Sequence, residues 1–139
     1  MIYSMTKGST DLLILPEMAL TGTRKFCPQN RPEFIIYSID SGYVFRTPDA
    51  IRPHLEPAAA GATTLFAREL ARRFGCTVVA GYPQYPGPDE RVPETLAGAN
   101  AAVVCDQGGT ILCDYRKTNM YDTDLPWCIP GKFIVLKFV

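Results

Sequence analysis

Two residues of this chain stand where short apolar runs stop, and both carry charges that chemistry can use. Glu17 follows Leu12-Leu13-Ile14-Leu15 and Pro16. Four consecutive aliphatic residues are too few for a free-standing helix; they read as a strand buried on both faces, in the middle of a parallel sheet. Pro16 has no backbone N–H, so the ladder stops there. Glu17 then lies just past the strand end, on the edge of an open α/β sheet where ligands bind. Lys117 follows a second strand-like run, Thr110 to Tyr115, with Arg116 between. A carboxylate can take up a proton and an ammonium can stabilise an anion. If the two strands run parallel, both groups share one edge and can pair, an arrangement the sequence permits. The competing readings are a solvated loop carboxylate for Glu17 and a surface cation for Lys117.

The other reactive side chains are less well placed. The five cysteines are Cys27, Cys76, Cys105, Cys113 and Cys128. Their odd number and the lack of a CxxC pair suit neither a disulfide framework nor a zinc site, and no metal or cofactor is expected. Cys76, Cys105 and Cys113 flank or lie in apolar strand-like runs, where free cysteine behaves as a small hydrophobe. His54, the only histidine, sits in a proline-rich stretch and reads as solvated.

At 139 residues the chain fits one domain. Its hydrophobic content of 47% and charged content of 20% are those of a globular protein. A formal net charge of zero gives no reason to expect a nucleic-acid or anionic-membrane partner. No apolar run approaches membrane-spanning length, and no secretory signal pattern opens the chain. With unpaired cysteines, a reducing, cytoplasmic setting is the expectation.

The elements that must position these residues follow an α/β order. Met1 to Thr10 is polar and unpatterned and is expected to be poorly ordered. Pro48, Pro53 and Pro57 are expected to keep the chain extended up to Ala58. Phe66, Leu70 and Phe74 recur at helical spacing with Ala67 and Ala71 beside them, predicting a helix over Thr64 to Phe74. Thr63 or Thr64 can cap it, and Gly75 supplies the stop. A β-branched strand, Cys76 to Ala80, follows at once and is expected to end at Gly81-Tyr82-Pro83. Strand, helix, strand is the βαβ signature. Gln84 to Glu94 reads as a surface loop. Ala97 to Cys105 and Thr110 to Tyr115 read as two strands joined by the turn Asp106-Gln107-Gly108-Gly109.

Four motifs in order carry a family resemblance. They are Leu15-Pro16-Glu17-Met18, Gly81-Tyr82-Pro83, Asn100-Ala101-Ala102-Val103-Val104 and Tyr115-Arg116-Lys117-Thr118-Asn119-Met120-Tyr121. Over about Asp11 to Gly131 the chain resembles the carbon–nitrogen hydrolases of the nitrilase superfamily. The continuation Tyr121-Asp122-Thr123-Asp124 with Trp127 looks most like the fungal branch of protein N-terminal asparagine amidohydrolases. The resemblance implies an α/β fold, a partial αββα sandwich, often dimerised into a four-layer assembly. It implies hydrolysis of a side-chain amide, such as that of an N-terminal Asn, by a Glu-Lys-Cys site in which Glu17 is the general base and Lys117 the oxyanion-side lysine.

The departures from the family pattern are specific. The family's nucleophile lies on a later strand elbow in a Gly-x-Cys setting, and no such elbow follows Lys117 here. Cys128, the one cysteine after Lys117, lies before the place where the elbow would come and is not assigned that role. The family's first strand is also unrecognised, so the chain is expected to be an incomplete domain, inactive alone. In the family, Thr-Gly runs straight into Tyr-x-Phe; here Thr21-Gly22 and Gly42-Tyr43-Val44-Phe45 are separated. Residues 23–41 therefore read as an insertion, and 132–139 as a tail foreign to the family. The alternative function is a non-catalytic remnant of the same fold, able to pair with an intact homologue.

Overall fold

The computed structural model describes residues 5–18, 20–21 and 44–132. The stretch 23–41 lies outside the described residues, as does nearly all of the 132–139 tail. The described elements are β1 (Leu12–Ile14), α1 (Pro48–Ile51), a 3-10 turn (Arg52–His54), α2 (Ala62–Phe74), β2 (Thr77–Gln84), β3 (Ala99–Cys105) and β4 (Ile111–Arg116).

The strands form one sheet in the order β1-β2-β3-β4. β1 runs parallel to β2, and β2–β3 and β3–β4 are antiparallel. Two reversals restore direction, so β4 runs parallel to β1. This is the arrangement that lets Glu17 and Lys117 share an edge.

α2 covers one face of the sheet. Ala67, Leu70, Ala71 and Phe74 pack onto Val78, Ala80 and Tyr82 of β2 and Ala101, Val103 and Cys105 of β3. Burying these side chains stabilises the layer pair by roughly 1.5–3 kcal/mol for each large apolar residue. A second cluster gathers Met18, Phe45, Ile51, Leu55, Ala97, Trp127 and Cys128. It ties the segment after Glu17 to the segment after Lys117.

Several sequence expectations are corrected. β1 is an edge strand of the described sheet, not a central one. Leu13 packs on the core, but Leu12 and Ile14 alternate to the other face and are 50% and 64% exposed. An aliphatic run alone does not distinguish these positions. α2 starts at Ala62 with Gly61 as N-cap and no side-chain cap from a neighbour. The Glu56 carboxylate accepts instead from Thr63 N–H at 2.7 Å and Thr63 Oγ at 2.8 Å, placing negative charge at the helix's positive end. Pro48 and Pro53 open short helical turns rather than extending the chain, because proline's fixed φ suits a first turn.

β2 continues through Pro83. The Pro83 carbonyl accepts from Glu56 N–H at 2.8 Å, so the position that lacks an N–H faces away from β3. Residues 5–10 are docked: Gly8 N–H donates to the Phe74 carbonyl at 2.9 Å, and Met5 packs on the core. Among the described residues, no helix is long and apolar enough to cross a membrane.

Candidate active site

β1 and β4 deliver their C-terminal ends to one sheet edge, with β2 and β3 between them. The chain turns sharply after Glu17: Met18 has φ 53°, a left-handed conformation uncommon for a residue with a side chain, and is buried. This elbow lies directly on β2. A Cβ at Gly81 would come within 3.1 Å of both Glu17 Cα and Met18 N, so the Gly81 position lets the two backbones meet. The Leu15-Pro16-Glu17-Met18 and Gly81-Tyr82-Pro83 motifs are thus two sides of one contact.

Alternation along β4 sends Asp114 and Arg116 to the α2 face and Tyr115 and Lys117 to the other. Lys117 is fixed through its backbone, its N–H donating to the Asn100 carbonyl and its carbonyl accepting from Gly131 N–H, both at 2.8 Å. Its ammonium donates to Glu17 Oε1 at 3.0 Å. The two residues singled out from the sequence therefore meet, a hundred positions apart.

Two further residues complete the cluster. Lys117 Nζ lies 2.8 Å from Asp124 Oδ2. Asn100 donates one amide proton to Glu17 Oε1 and the other to Asp124 Oδ1, the latter at 3.1 Å. Asp124 Oδ2 also accepts from Tyr121 N–H at 3.0 Å. Burial works against the Lys117 ammonium, but hydrogen bonds and charge from Asp124 and Glu17 outweigh it and raise its pKa above the usual lysine value. Burial would likewise push Asp124 up, yet bonds from Lys117, Tyr121 N–H and Asn100 hold it below the ordinary carboxylate range. Both residues are thus charged at neutral pH. Asn100 and Asp124 sit inside the quoted motifs, but no spacing marked either as part of a site.

A cleft of about 240 Å³ opens beside the cluster. Glu17, Asn100 and Lys117 form its polar wall, and Leu15, Val79, Ala102 and Tyr115 are among its apolar lining. Among the described residues, no cysteine lines it. Cys128 is buried, and its Sγ accepts from Asn100 N–H at 3.1 Å. Burial pushes its thiol up to about 11, where the reactive thiolate is scarce at neutral pH. Cys76 and Cys105 are buried in the core under α2, and their thiols too are raised chiefly by burial. His54 packs against the Phe45 ring, centroids 5.3 Å apart, and does not line the cleft. Cys27 lies outside the described residues.

A mixed α/β sheet with a glutamate and a lysine paired at one strand edge is the arrangement that the motif order implied. The chain belongs to the carbon-nitrogen hydrolase family, whose model matches residues 1–134. It is similar to the protein N-terminal amidase of Saccharomyces cerevisiae, 28% identical over 127 residues, covering 88% of this chain and 22% of that protein. The protein N-terminal amidase of Schizosaccharomyces pombe is 25% identical over 132 residues, covering 94% of this chain and 38% of that protein. A crystal structure of N-terminal amidase superposes with a TM-score of 0.66 at 26% identity, covering 92% of this chain and 24% of that one. The same figures hold for that enzyme with a Gln-Gly peptide and with an Asn-Glu peptide. The chain therefore spans between about a fifth and two fifths of the length of the curated relatives it matches.

Proposed function

We propose that Glu17 and Lys117 are the general base and the oxyanion-stabilising lysine of an amidohydrolase site whose substrate is the side-chain amide of an N-terminal Asn or Gln of a protein. The observation that carries this reading is the 3.0 Å ion pair at the edge of an open, otherwise largely apolar cleft. The substrate class is supported by the names of the relatives and by the peptides seated in the solved N-terminal amidase.

In this reading a cysteine thiol gives its proton to Glu17 as sulfur bonds to the amide carbon. The carbonyl oxygen becomes an oxyanion beside the Lys117 ammonium, which needs no reorganisation to receive it. Glu17 passes the proton to the departing nitrogen, the C–N bond breaks, and ammonia leaves a thioester. Glu17 then takes a proton from water, the hydroxide adds to the thioester carbon, and the carboxylic acid forms as the thiol is restored.

Among the described residues, no cysteine stands at the cleft to serve as the nucleophile. Without it the base and the oxyanion stabiliser have no covalent step to serve, and the loss is many orders of magnitude. The chain alone is accordingly proposed to be inactive, with activity restored when it is extended through the cysteine elbow that the family carries beyond its lysine. The lack of a cysteine among the described residues of the cleft supports a second reading, a non-catalytic domain that pairs with an intact homologue.

Ammonia release from a peptide with N-terminal Asn separates these readings. The first expects no turnover by this chain and turnover by the extended one. Turnover by this chain alone, abolished by Cys128→Ser, would instead make Cys128 the nucleophile. An inactive extended chain that still folds would favour the pairing role.

A further inference from the structure

On the α2 face, the Tyr82 hydroxyl is asked for more protons than it has. Gln84 is held in one orientation, because Arg116 Nε donates to its side-chain oxygen. Its amide nitrogen therefore faces Tyr82 and Asp114, donating to the Tyr82 hydroxyl at 2.7 Å and to Asp114 Oδ2 at 2.6 Å. The same Tyr82 oxygen faces two acceptors, Asp114 Oδ1 at 2.9 Å and the Ala58 carbonyl at 3.2 Å. A phenol has one proton to give. While Asp114 is ionised, that proton belongs on the nearer, charged oxygen, because a hydrogen bond to an ionised acceptor is the stronger. Among the described residues, the Ala58 carbonyl is then left with the Thr64 hydroxyl, at 3.2 Å.

One added proton completes the set. Placed on Asp114 Oδ1, it is donated to the Tyr82 oxygen, which has lone pairs for both Asp114 and Gln84. The hydroxyl proton of Tyr82 is freed and turns to the Ala58 carbonyl. Tyr82 is buried in the core, whereas Ala58 lies in the exposed stretch that leads into α2. The bond between them therefore ties a surface segment to the sheet.

We propose that Asp114 is a proton-operated latch: with its proton on, Tyr82 holds the Ala58 carbonyl and the entry to α2 is fastened to β2; with the proton off, Tyr82 turns back to Asp114 and that fastening is released. Burial is the largest influence on Asp114 and raises its pKa, against the hydrogen bonds from Tyr82 and Gln84 and the charge of Arg116. Burial also raises Tyr82, so its hydroxyl keeps its proton throughout. The remaining charges around the pair are Glu56, which acts on Tyr82 from the segment entering α2, and Glu90, which pairs with Arg116. The latch does not line the cleft, and it stands whether or not the amidohydrolase reading does.

Hydrogen exchange of the full chain, followed by mass spectrometry from about pH 4 to about pH 7, tests it. Rates are corrected for the intrinsic pH dependence of exchange, and the protection of residues 57–64 is taken relative to that of β2 and β3. In the unaltered chain this relative protection should fall about two- to tenfold as pH rises, the range that one hydrogen bond is worth. Glu56 caps Thr63 as a carboxylate, so its own titration would make protection rise with pH, the opposite sign. Asp114→Asn, whose amide imitates the protonated carboxyl, should keep residues 57–64 protected at every pH. Tyr82→Phe, which has no proton to turn, should leave them poorly protected at every pH. If one variant does not fold, the other decides. Relative protection that stays flat or rises with pH in the unaltered chain would overturn the proposal, as would either folded variant that keeps the full fall.

Discussion

Arg116 and Lys117 are consecutive residues that anchor two polar clusters on opposite faces of one sheet. On the α2 face, Arg116 pairs with Glu90 through Nη1 at 2.7 Å and donates to Gln84 Oε1. Gln84 donates to Asp114 at 2.6 Å and to the Tyr82 hydroxyl at 2.7 Å, and Tyr82 donates to Asp114 at 2.9 Å. On the other face stand Lys117, Glu17, Asp124 and Asn100. Both clusters hold two carboxylates, one cation and an amide. They differ in what is left over. The Arg116 cluster is closed, its donors and acceptors turned on one another and on the backbone carbonyls of Ala58 and Tyr85. The Lys117 cluster ends on a cleft, with a part-exposed carboxylate and an ammonium short of partners. Density of buried charge marks neither as a site; an unfinished network beside a cavity does.

The contrast can be broken by experiment. The largest expected effect is Lys117→Met, which leaves buried Asp124 without its cation. It should lower stability by about 3 kcal/mol, the lower end of the range for breaking a buried pair, since Lys117 keeps some solvent contact. Urea denaturation would read it, and a loss below about 1 kcal/mol would mean that Asp124 finds other partners.

Next is Tyr82→Phe in the closed cluster. It removes one donor to Asp114 and one of the two acceptors of Gln84, and should cost about 1–2 kcal/mol without altering the rate at which acetic anhydride acetylates Lys117. A change in that rate would mean that the two faces are coupled through the sheet.

Buried Asp124 and half-buried Asp114 should answer pH with opposite signs. Asp124 is held below its ordinary pKa, so its contribution to stability is present above about pH 4 and is lost as pH falls through the lowered value. Asp114 is raised, chiefly by burial, so stability falls as pH climbs from about 4 through its raised value. Lys117, raised as well, adds stability that is full below about pH 10.4 and is lost as pH rises through its higher folded value. Denaturation midpoints between pH 3 and 6 should show Asp124→Asn flattening the acid limb and Asp114→Asn removing the decline just above pH 4. Equal effects from the two variants would contradict the assignment of sign.

The smallest effect is Arg116→Lys, which trades the two-oxygen contact with Glu90 for a single one. Both side chains are partly exposed, at 24% and 32%, so the change should be about 0.5 kcal/mol or less. The Glu90 pKa, lowered first by its Arg116 hydrogen bond, should move up toward its ordinary value.

How far the sequence could be read follows from which signals were local. Pro16 marks a strand end by its missing N–H, and the strand-like run Thr110 to Tyr115 gives way to Arg116, so Glu17 and Lys117 could be placed near strand ends from the chain alone. That they meet depends on the antiparallel pairing of β2 with β3, across a connection with no tight-turn signature. The burial of Leu12 and Ile14 was overestimated because an aliphatic run is the same at an edge as in the middle. Pro83 seemed to end its strand, because proline's missing donor matters only on the side where a partner waits. The start of α2 was misplaced by two residues because its cap, Glu56, arrives from outside the helix. Asp124 carries no local signal of its place, which comes from the turn Tyr121–Trp127 that brings it against Lys117.

The central claim is that the Lys117 face, and not the Arg116 face, is the working half of an amidohydrolase site. The most direct measurement is ammonia release from a peptide with N-terminal Asn, using the chain extended through the family's cysteine elbow, with Glu17→Gln and Asp114→Asn compared side by side. Each variant replaces one carboxylate by its amide isostere, one in each cluster. The account predicts that Glu17→Gln lowers the rate by about 10²–10⁴-fold while the protein remains folded, and that Asp114→Asn leaves it within about twofold of the unaltered chain. A folded Glu17→Gln variant that keeps its rate, or equal losses from both variants, would contradict it.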